Sequence, residues 1–228
     1  MRAILLAAGF GRRLRPITKT VPKCLVPIKG KPLLQIWLEK LTKVGVSEIF
    51  INTHYLHKKV EDFILNSQFK KIVTLGYEEK LRGTAGTLLD NISFFEKKDG
   101  FLIHADNLCD DNMLELIKCH SKRPLHCEIT MLVFETKEPQ NCGIVSINKD
   151  NVVDNFYEKV KNPPGNLANG AIYLLSKKFL DNYEKNFKIA SDFSNEVLPK
   201  MLNKIFVYKT KDRFLDIGTN KNYTLANN

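Results

Sequence analysis

A short apolar run near the start of the chain leads directly into a glycine-containing loop. Residues 2–7, Arg-Ala-Ile-Leu-Leu-Ala, have the pattern of a buried strand, and Ala8-Gly9-Phe10-Gly11 follows at once. In α/β folds such a loop after the first strand binds phosphate, because backbone N–H groups and the next helix face the carboxyl end of the strand. The start of the chain therefore favours an α/β fold with a phosphate site.

The first half of the chain alternates strand and helix patterns, which predicts a βαβ arrangement with a parallel sheet. The second half has strand patterns with short connections, which predicts an antiparallel lobe. The expected strands are 48–53, 71–76, 101–105, 128–136, 143–148, 152–157, 171–175 and 205–210, and the expected helices are 33–44, 56–66, one from 84, 193–202 and one after 219.

The net charge of +10 is concentrated at one end of the chain. Residues 1–38 hold eight basic side chains and no acidic one, while the other 190 residues hold 27 basic and 25 acidic side chains. A local cluster predicts a compact polyanionic ligand, with an ordinary solvated face as the alternative. Nucleic-acid binding would need basic residues interleaved with aromatic ones along a face, a pattern that the near-neutral remainder lacks.

Cysteine content and hydropathy indicate the expected compartment. The five cysteines include no C-x-x-C pair, so we expect reduced thiols and neither a zinc nor a redox site. The apolar run at 3–8 is too short for a signal peptide, and no stretch approaches the roughly 20 apolar residues of a membrane span. These features predict a cytoplasmic protein without membrane contact, and they leave the oligomeric state open.

Two common phosphate-binding motifs are excluded by single residues. Gly30-Lys31 is followed by Pro32, which rules out a Walker A motif. Leu14 stands where a dinucleotide fingerprint needs its third glycine, and the sequence further on is basic where that fingerprint needs an acid.

The remaining motif runs from Leu6-Ala7-Ala8-Gly9-Phe10-Gly11-Arg12-Arg13-Leu14-Arg15-Pro16 through Pro22-Lys23-Cys24-Leu25-Val26-Pro27 to Lys31-Pro32-Leu33-Leu34. It resembles the signature of the sugar-1-phosphate nucleotidylyltransferases, or NDP-sugar pyrophosphorylases, and most of all mannose-1-phosphate guanylyltransferase-like proteins. The resemblance covers residues 1 to about 220. Cys24 replaces the second proline of the P-K-P-L element, Ala105 a usual glycine and Phe214 a common tryptophan, and Gly170-Ala171 inverts a small pair.

Nucleotidyl transfer places negative charge on the α-phosphate and on departing pyrophosphate, so fixed cations are its main need. We expect Arg13 to hold the β- and γ-phosphates by its planar fork, and Lys23 to act as a point charge near the α-phosphate or the sugar phosphate. Each alone could be an ordinary surface cation. No general base is needed, because a phosphate monoester with a second pKa of about 6 is largely dianionic at pH 7.

The reaction also needs a divalent cation, for which we expect Mg²⁺. Asp106 follows the apolar strand 101–105 and is the first expected ligand. Asp216 lies in Phe214-Leu215-Asp216-Ile217-Gly218-Thr219, which resembles a late family segment whose Asp completes the metal site. Either Asp alone could be a cap or turn residue, and Asp110 and Asp111 have the position of helix caps.

The resemblance also implies the substrate-binding residues. For the nucleotide they are Leu6, Ala8, Gly9, Gly11, Glu78 and Gly83, and for the sugar phosphate Gly143, Glu158, Lys159 and Asn169. Guanine presents two neighbouring donors that a carboxylate can accept together, so Glu78 favours GTP, although the register also allows Glu79.

These residues together predict an enzyme that transfers a nucleoside monophosphate from an NTP to a sugar 1-phosphate by Mg²⁺-assisted in-line attack. The alternatives are another base, a non-sugar phosphate acceptor, or a catalytically silent regulatory protein that binds a sugar nucleotide. The resemblance implies one domain over 1–228, with a nucleotide part at about 1–110 and a sugar-phosphate part at about 111–228. The expected fold is a Rossmann-like, mixed but mainly parallel sheet flanked by helices, of the glycosyltransferase-A-like type, with a small antiparallel sugar-binding lobe.

Overall fold

The computed structural model describes residues 1–228. Its strands are β1 (Arg2–Leu6), β2 (Pro27–Ile28), β3 (Lys31–Pro32), β4 (Glu48–Thr53), β5 (Val73–Tyr77), β6 (Gly100–His104), β7 (Asn107–Cys109), β8 (Ile129–Glu135), β9 (Gly143–Ile147), β10 (Val153–Glu158), β11 (Leu167–Leu175), β12 (Ile205–Lys209) and β13 (Phe214–Asp216). Its α-helices are α1 (Leu33–Lys43), α2 (His57–Leu65), α3 (Gly83–Asp90), α4 (Met113–Ser121), α5 (Lys177–Asp181), α6 (Tyr183–Phe187) and α7 (Asn220–Asn227).

The chain divides into two compact units that interleave along the sequence. The first unit comprises Met1–Leu81, Ile103–Asp111 and Asp212–Asn228, and the second comprises Arg82–Leu102 and Asn112–Lys211. The expected division of the chain at about 110 stays a prediction.

The first unit is built on parallel strands. β1 pairs with β4 and β4 with β5, all parallel, with Ile4 opposite Phe50 and Ile51 opposite Leu75. Helix α1 connects β1 to β4 and buries Trp37 among its apolar residues, and α2 connects β4 to β5. The predicted βαβ arrangement of the first half is confirmed.

The second unit contains the predicted antiparallel strands. β9 pairs antiparallel with β10 and β11, and β8 pairs antiparallel with β11 and parallel with β12. The mixed, mainly parallel sheet with flanking helices is therefore confirmed. None of the helices has the length and hydropathy that crossing a bilayer requires.

Two local predictions were wrong. The helix expected over 193–202 is a π-helical turn, Phe193–Val197, followed by a 3₁₀ turn, Leu198–Met201, because Pro199 has no N–H to continue an α-helical ladder. Asp110 and Asp111 do not cap α4. The cap is Asn112, whose side chain accepts a hydrogen bond from the backbone N–H of Leu114 at 3.0 Å.

Candidate active site

Four charged side chains from distant parts of the chain meet in the first unit. The ammonium nitrogen of Lys23 lies 2.6 Å from Oδ2 of Asp106 and 3.3 Å from Oδ1 of Asp216. A guanidinium nitrogen of Arg13 lies 3.7 Å from Oδ2 of Asp216. The two predicted cations and the two predicted metal ligands therefore form one cluster.

A small antiparallel sheet brings the two aspartates together. β13 pairs with β7 so that Asp216 lies opposite Asn107, and the N–H of Ile217 donates to the carbonyl of Asp106 at 3.1 Å. The N–H of Ala105 in turn donates to the carbonyl of Leu6 at 3.0 Å, which places Asp106 beside the end of β1. Strand pairing thus joins segments that are 110 residues apart in the sequence.

Burial and the two carboxylates act on Lys23 in opposite directions. Its side chain is only 10% exposed, and this burial lowers the pKa of the ammonium, but the charges of Asp106 and Asp216 and its hydrogen bonds to them outweigh burial and raise it. For Asp106, burial raises the carboxyl pKa, and attraction to Lys23 and His104 outweighs it, so the net shift is downward. Lys23 and Asp106 are therefore both charged near neutral pH.

The glycine-rich loop contains one glycine that the fold needs and one that it does not. Gly11 has a φ of 62°, and a Cβ there would lie 3.0 Å from Cγ2 of Thr18, whose hydroxyl donates to the Gly11 carbonyl at 2.7 Å. Gly9 is exposed, and a Cβ there would meet nothing within 4 Å. The neighbouring predicted residues Leu6 and Ala8 are buried, while the side chain of Arg13 is 71% exposed.

Gly218 is a close neighbour of this cluster to which the sequence alone assigned no role. A Cβ at Gly218 would lie 2.8 Å from Oδ1 of Asp216 and 2.9 Å from Nη2 of Arg13. A larger residue would therefore displace both charged groups. The sequence feature that could have indicated this role is a glycine two positions after Asp216, the predicted metal ligand.

Glu78 lies directly after β5 and is tied to the end of β4. Its carboxylate accepts a hydrogen bond from Nδ2 of Asn52 at 2.9 Å, and Oδ1 of Asn52 accepts from the N–H of Ala7 at 2.7 Å. Sequence reasoning missed Asn52, although a polar residue that ends the apolar pattern Ile-Phe-Ile-Asn was a usable signal.

Three of the residues predicted for the sugar phosphate lie together in the second unit. Gly143 of β9 is opposite Glu158 of β10, and a side chain at Gly143 would collide with the Glu158 carboxylate. Lys159 lies 3.0 Å from Oε1 of Glu158 through its ammonium nitrogen. A Cβ at Gly143 would also lie 2.7 Å from Cζ of Phe156, so both neighbours would have to shift to accept a side chain there.

Asn169 and Gly83 have structural partners inside the second unit. Nδ2 of Asn169 donates to the Tyr173 hydroxyl at 2.7 Å, and its Oδ1 accepts from the N–H of Ala171 at 2.9 Å. Burial raises the pKa of Tyr173, so its hydroxyl stays protonated. Gly83 has a φ of 74°, and a side chain there would collide with the carbonyl of Ser191, which accepts from the N–H of Ala85.

The predicted site residues are thus distributed over both units. The first unit holds Leu6, Ala8, Gly9, Gly11, Arg13, Lys23, Glu78, Asp106 and Asp216. The second unit holds Gly83, Gly143, Glu158, Lys159 and Asn169.

The donor set in the first unit fits a magnesium ion. Oxygen atoms of Asp106 and Asp216 already approach one shared cationic group, the ammonium of Lys23. Mg²⁺ is usually held by one or two carboxylates together with substrate phosphates and water, so a third protein carboxylate is not required. The structure has no larger cluster of His, Cys, Asp and Glu suited to a metal.

A family model described as "Nucleotidyl transferase" matches residues 2–228. The chain is 29% identical to a mannose-1-phosphate guanyltransferase of Schizosaccharomyces pombe, over 98% of this chain and 62% of that protein. It is 27% identical to a D-glycero-alpha-D-manno-heptose 1-phosphate guanylyltransferase of Campylobacter jejuni, over 98% of this chain and 97% of that one. The chain spans 62–63% of the length of several mannose-1-phosphate guanylyltransferases that it matches.

A solved structure with the same fold is that of HddC from Yersinia pseudotuberculosis complexed with GMP-PN. Its TM-score to this chain is 0.80 at 26% sequence identity, and the match covers 99% of this chain and 97% of that one.

Proposed function

Because the chain belongs to the nucleotidyl transferase family, we propose that it transfers a nucleoside monophosphate from an NTP to a sugar 1-phosphate. The products are an NDP-sugar and pyrophosphate. The observation that carries this proposal is the cluster of Lys23, Arg13, Asp106 and Asp216, in which two cations and two carboxylates lie beside a glycine-rich strand end.

In this reaction an oxygen of the sugar phosphate attacks the α-phosphorus of the NTP. The bond from the α-phosphorus to the bridging oxygen breaks, and the electron pair leaves with pyrophosphate. Lys23 holds a fixed positive charge beside the α-phosphate, and the exposed guanidinium of Arg13 pairs with the β- and γ-phosphates. No proton has to be removed from the nucleophile, which is consistent with a cluster that contains no free general base.

We propose Mg²⁺ as the cofactor, with Asp106 and Asp216 as its protein ligands. When bound, it supplies positive charge that offsets the charge of the triphosphate. With Asp106 and Asp216 holding the metal, the Lys23 ammonium would share its donors between these carboxylates and phosphate oxygens, since all of them are acceptors.

GTP is the proposed nucleotide. Glu78 presents a carboxylate at the carboxyl end of the parallel strands, and a carboxylate suits the adjacent N1–H and N2–H donors of guanine. The guanylyltransferase names of the relatives support this choice.

In the second unit, Glu158 and Asn169 are the proposed partners of sugar hydroxyls and Lys159 of the sugar's phosphate. The side-chain amide of Asn169 already donates one N–H to Tyr173 and accepts one hydrogen bond from Ala171, so its second N–H can donate to a ligand. We keep the assignment of about 1–110 to the nucleotide and about 111–228 to the sugar phosphate as part of this proposal.

The test is pyrophosphate release with Mg²⁺, measured for GTP, UTP, CTP, dTTP and ATP against a panel of sugar 1-phosphates. We expect release with GTP and one acceptor, and its loss in Asp106→Asn. Asp110→Asn is the matched control, because Asp110 forms only an exposed ion pair with Arg213 at 2.8 Å, a contact worth at most about 1 kcal/mol. That variant should retain wild-type turnover.

The alternatives give different results in the same assay. Pyrophosphate release with another NTP would change the proposed nucleotide from GTP to that NTP. Release only with a non-sugar phosphate would change the proposed acceptor. Nucleotide binding without any release would favour the regulatory alternative, and no binding at all would contradict the proposal.

A further inference from the structure

A chain of hydrogen bonds crosses the carboxyl ends of three parallel strands in the first unit. The N–H of Ala7, directly after β1, donates to Oδ1 of Asn52 at 2.7 Å. Nδ2 of Asn52, near the end of β4, donates to Oε1 of Glu78 at 2.9 Å, directly after β5. Asn52 is therefore the link between the start of the glycine-rich loop and the carboxylate of Glu78.

The partners of Asn52 fix which way its amide points. A backbone N–H can only donate and an ionised carboxylate can only accept, so the amide oxygen must face Ala7 and the amide nitrogen must face Glu78. Asn52 is 4% exposed, and reversing its amide would leave unsatisfied groups on both sides in a buried site. The donor aimed at Glu78 is therefore held in one orientation.

The backbone of Glu78 is fixed independently of Asn52. The N–H of Glu78 donates to the carbonyl of Thr53 at 2.8 Å, and Nδ1 of His54 lies 2.7 Å from the Glu78 carbonyl. With its backbone fixed at both ends, Glu78 varies chiefly in the direction of its carboxylate. The hydrogen bond from Asn52 acts on that direction.

We propose that Asn52 is a positioning residue for guanine recognition: it orients the Glu78 carboxylate toward the N1–H and N2–H groups of the base. The inference rests on the proposed guanylyl transfer and adds a residue that touches neither substrate. Its consequence is that Asn52 acts on nucleotide selectivity, because a carboxylate that has turned away can no longer accept both donors.

The test compares GTP with inosine triphosphate, whose base keeps N1–H and lacks the 2-amino group. We expect the wild-type ratio of kcat/KM for GTP over inosine triphosphate to be on the order of tenfold or more, the value of one hydrogen bond to a charged acceptor. In Asn52→Asp the side chain still accepts from Ala7, but a second carboxylate replaces the donor to Glu78 and repels the Glu78 carboxylate. That variant should bring the ratio close to one.

Controls separate positioning from a general loss of structure. Thr53→Val changes the next residue of β4, also buried, whose hydroxyl faces the Gly76 carbonyl and not the Glu78 side chain. It should keep the wild-type ratio. Glu78→Gln should bring the ratio close to one, and Asn52→Asp combined with Glu78→Gln should lower it no further, because both changes act through one carboxylate.

A second variant covers the case in which Asn52→Asp does not fold. Asn52→Ser introduces no charge and is too short to reach Glu78, so it should also bring the ratio close to one. Equal losses for GTP and inosine triphosphate in the Asn52 variants, with the wild-type ratio kept, would overturn the inference while guanylyl transfer stood. A wild-type enzyme that uses a different NTP would instead overturn the proposed function and the guanine assignment together.

Discussion

At the scale of single residues, Gly9 and Gly11 show that a glycine can be required for different reasons two positions apart. Gly11 has a left-handed backbone conformation and packs against Thr18, so the fold itself requires it. Gly9 has open space around it and no unusual φ, so the fold would accept a methyl group there. A glycine that the fold does not need is consistent with close approach of a ligand to the backbone.

Gly9→Ala should leave stability within about 0.5 kcal/mol of wild type and raise the KM for the NTP roughly tenfold or more, because a methyl group forced into a tight contact costs about 1–3 kcal/mol. Urea denaturation and steady-state kinetics measure the two effects. Gly165→Ala is the control, since Gly165 is also exposed with open space around it and should change neither quantity. An unchanged KM in Gly9→Ala would argue against nucleotide contact at this loop.

Ala171 has a conformation that favours glycine. Its φ is 51°, and it lies at the irregular pairing of β11 between Asn169 and Tyr173. The family signature usually has glycine at this position, and here Gly170 and Ala171 are exchanged. The left-handed conformation of an alanine costs roughly 1–2 kcal/mol, which the Asn169 side chain partly offsets by accepting from the Ala171 N–H.

We expect Ala171→Gly to stabilise the protein by about 0.5–1 kcal/mol, the strain relieved less the added entropy of glycine in the unfolded chain. The midpoint of urea unfolding measures this change. Ala168→Gly, at a buried position of the same strand with an ordinary φ, should instead destabilise by about 1 kcal/mol. Destabilisation by both variants would show that the left-handed alanine carries no strain.

At the scale of secondary-structure elements, a polar network joins several segments of the second unit around His120. Nδ1 of His120, on α4, lies 2.7 Å from the Thr130 hydroxyl of β8, and its Nε2 lies 3.2 Å from Oδ2 of Asp99. Arg123 lies 3.8 Å from the same Asp99 oxygen, and the N–H of Lys177, at the start of α5, donates to the other oxygen at 2.6 Å.

This network should make the protein less stable in mild acid. Burial lowers the pKa of His120 more than Asp99 raises it, so protonation favours the unfolded chain, whose imidazole titrates near 6.5. The contribution of neutral His120 to the free energy of unfolding is therefore complete above pH 6.5. It is lost as the pH falls through the lower pKa that His120 has in the folded protein. The hydrogen bond to His120 also lowers the pKa of Asp99. The contribution of ionised Asp99 to the free energy of unfolding therefore persists to lower pH, and it is lost only below the usual pKa range of Asp.

Urea denaturation at pH 7.5 and pH 5.5 tests this pH dependence. His120→Gln should remove much of the stability lost between the two pH values, whereas His126→Gln, at an exposed histidine, should keep the wild-type difference. An equal pH response in wild type and His120→Gln would assign the acid sensitivity to other groups.

At the scale of the whole molecule, the basic excess is local and partly neutralised. Four of the eight basic residues in 1–38 form ion pairs with carboxylates: Arg2 with Glu48, Lys31 with Glu39, Lys23 with the two aspartates of the cluster, and Arg13 with Asp216. Arg13 reaches Asp216 only at 3.7 Å and keeps an exposed guanidinium. Arg13 therefore keeps positive charge available at the proposed phosphate site, as a compact polyanionic ligand requires.

The cysteines give a measure of the integrity of the whole fold. Cys24, Cys109 and Cys127 are buried, and burial raises the pKa of Cys24 and of Cys109 to about 12. Their thiolate forms are therefore scarce at pH 8. The prediction of reduced thiols in a cytoplasmic protein stays a prediction.

Labelling with iodoacetamide at pH 8, counted by mass spectrometry, should modify the partly exposed Cys119 and Cys142 first and reach all five cysteines only in urea. Cys142→Ser should remove one early adduct and leave the slow ones unchanged. Prompt labelling of Cys24 in the native protein would contradict its burial.

The sequence by itself determined the class of fold and most of the charged groups of the site. Strand β1, its glycine loop and the alternating first half follow from apolar periodicity and from Gly and Pro positions, which are local properties of the chain. Arg13, Lys23, Asp106 and Asp216 were found because they belong to motifs. The structure brings these four side chains together, and their roles as catalytic cations and metal ligands stay predictions.

Only the tertiary structure decided which side chains contact one another and which positions require a particular residue type. Lys23 reaches Asp216 because β13 pairs with β7, and Gly83 must lack a side chain because the Ser191 carbonyl lies against it. Asn52 was missed because the break that it makes in the apolar pattern of β4 does not by itself show which residues it contacts. Each of these contacts joins residues far apart in the chain, so it depends on strand register and packing, which local sequence patterns do not encode.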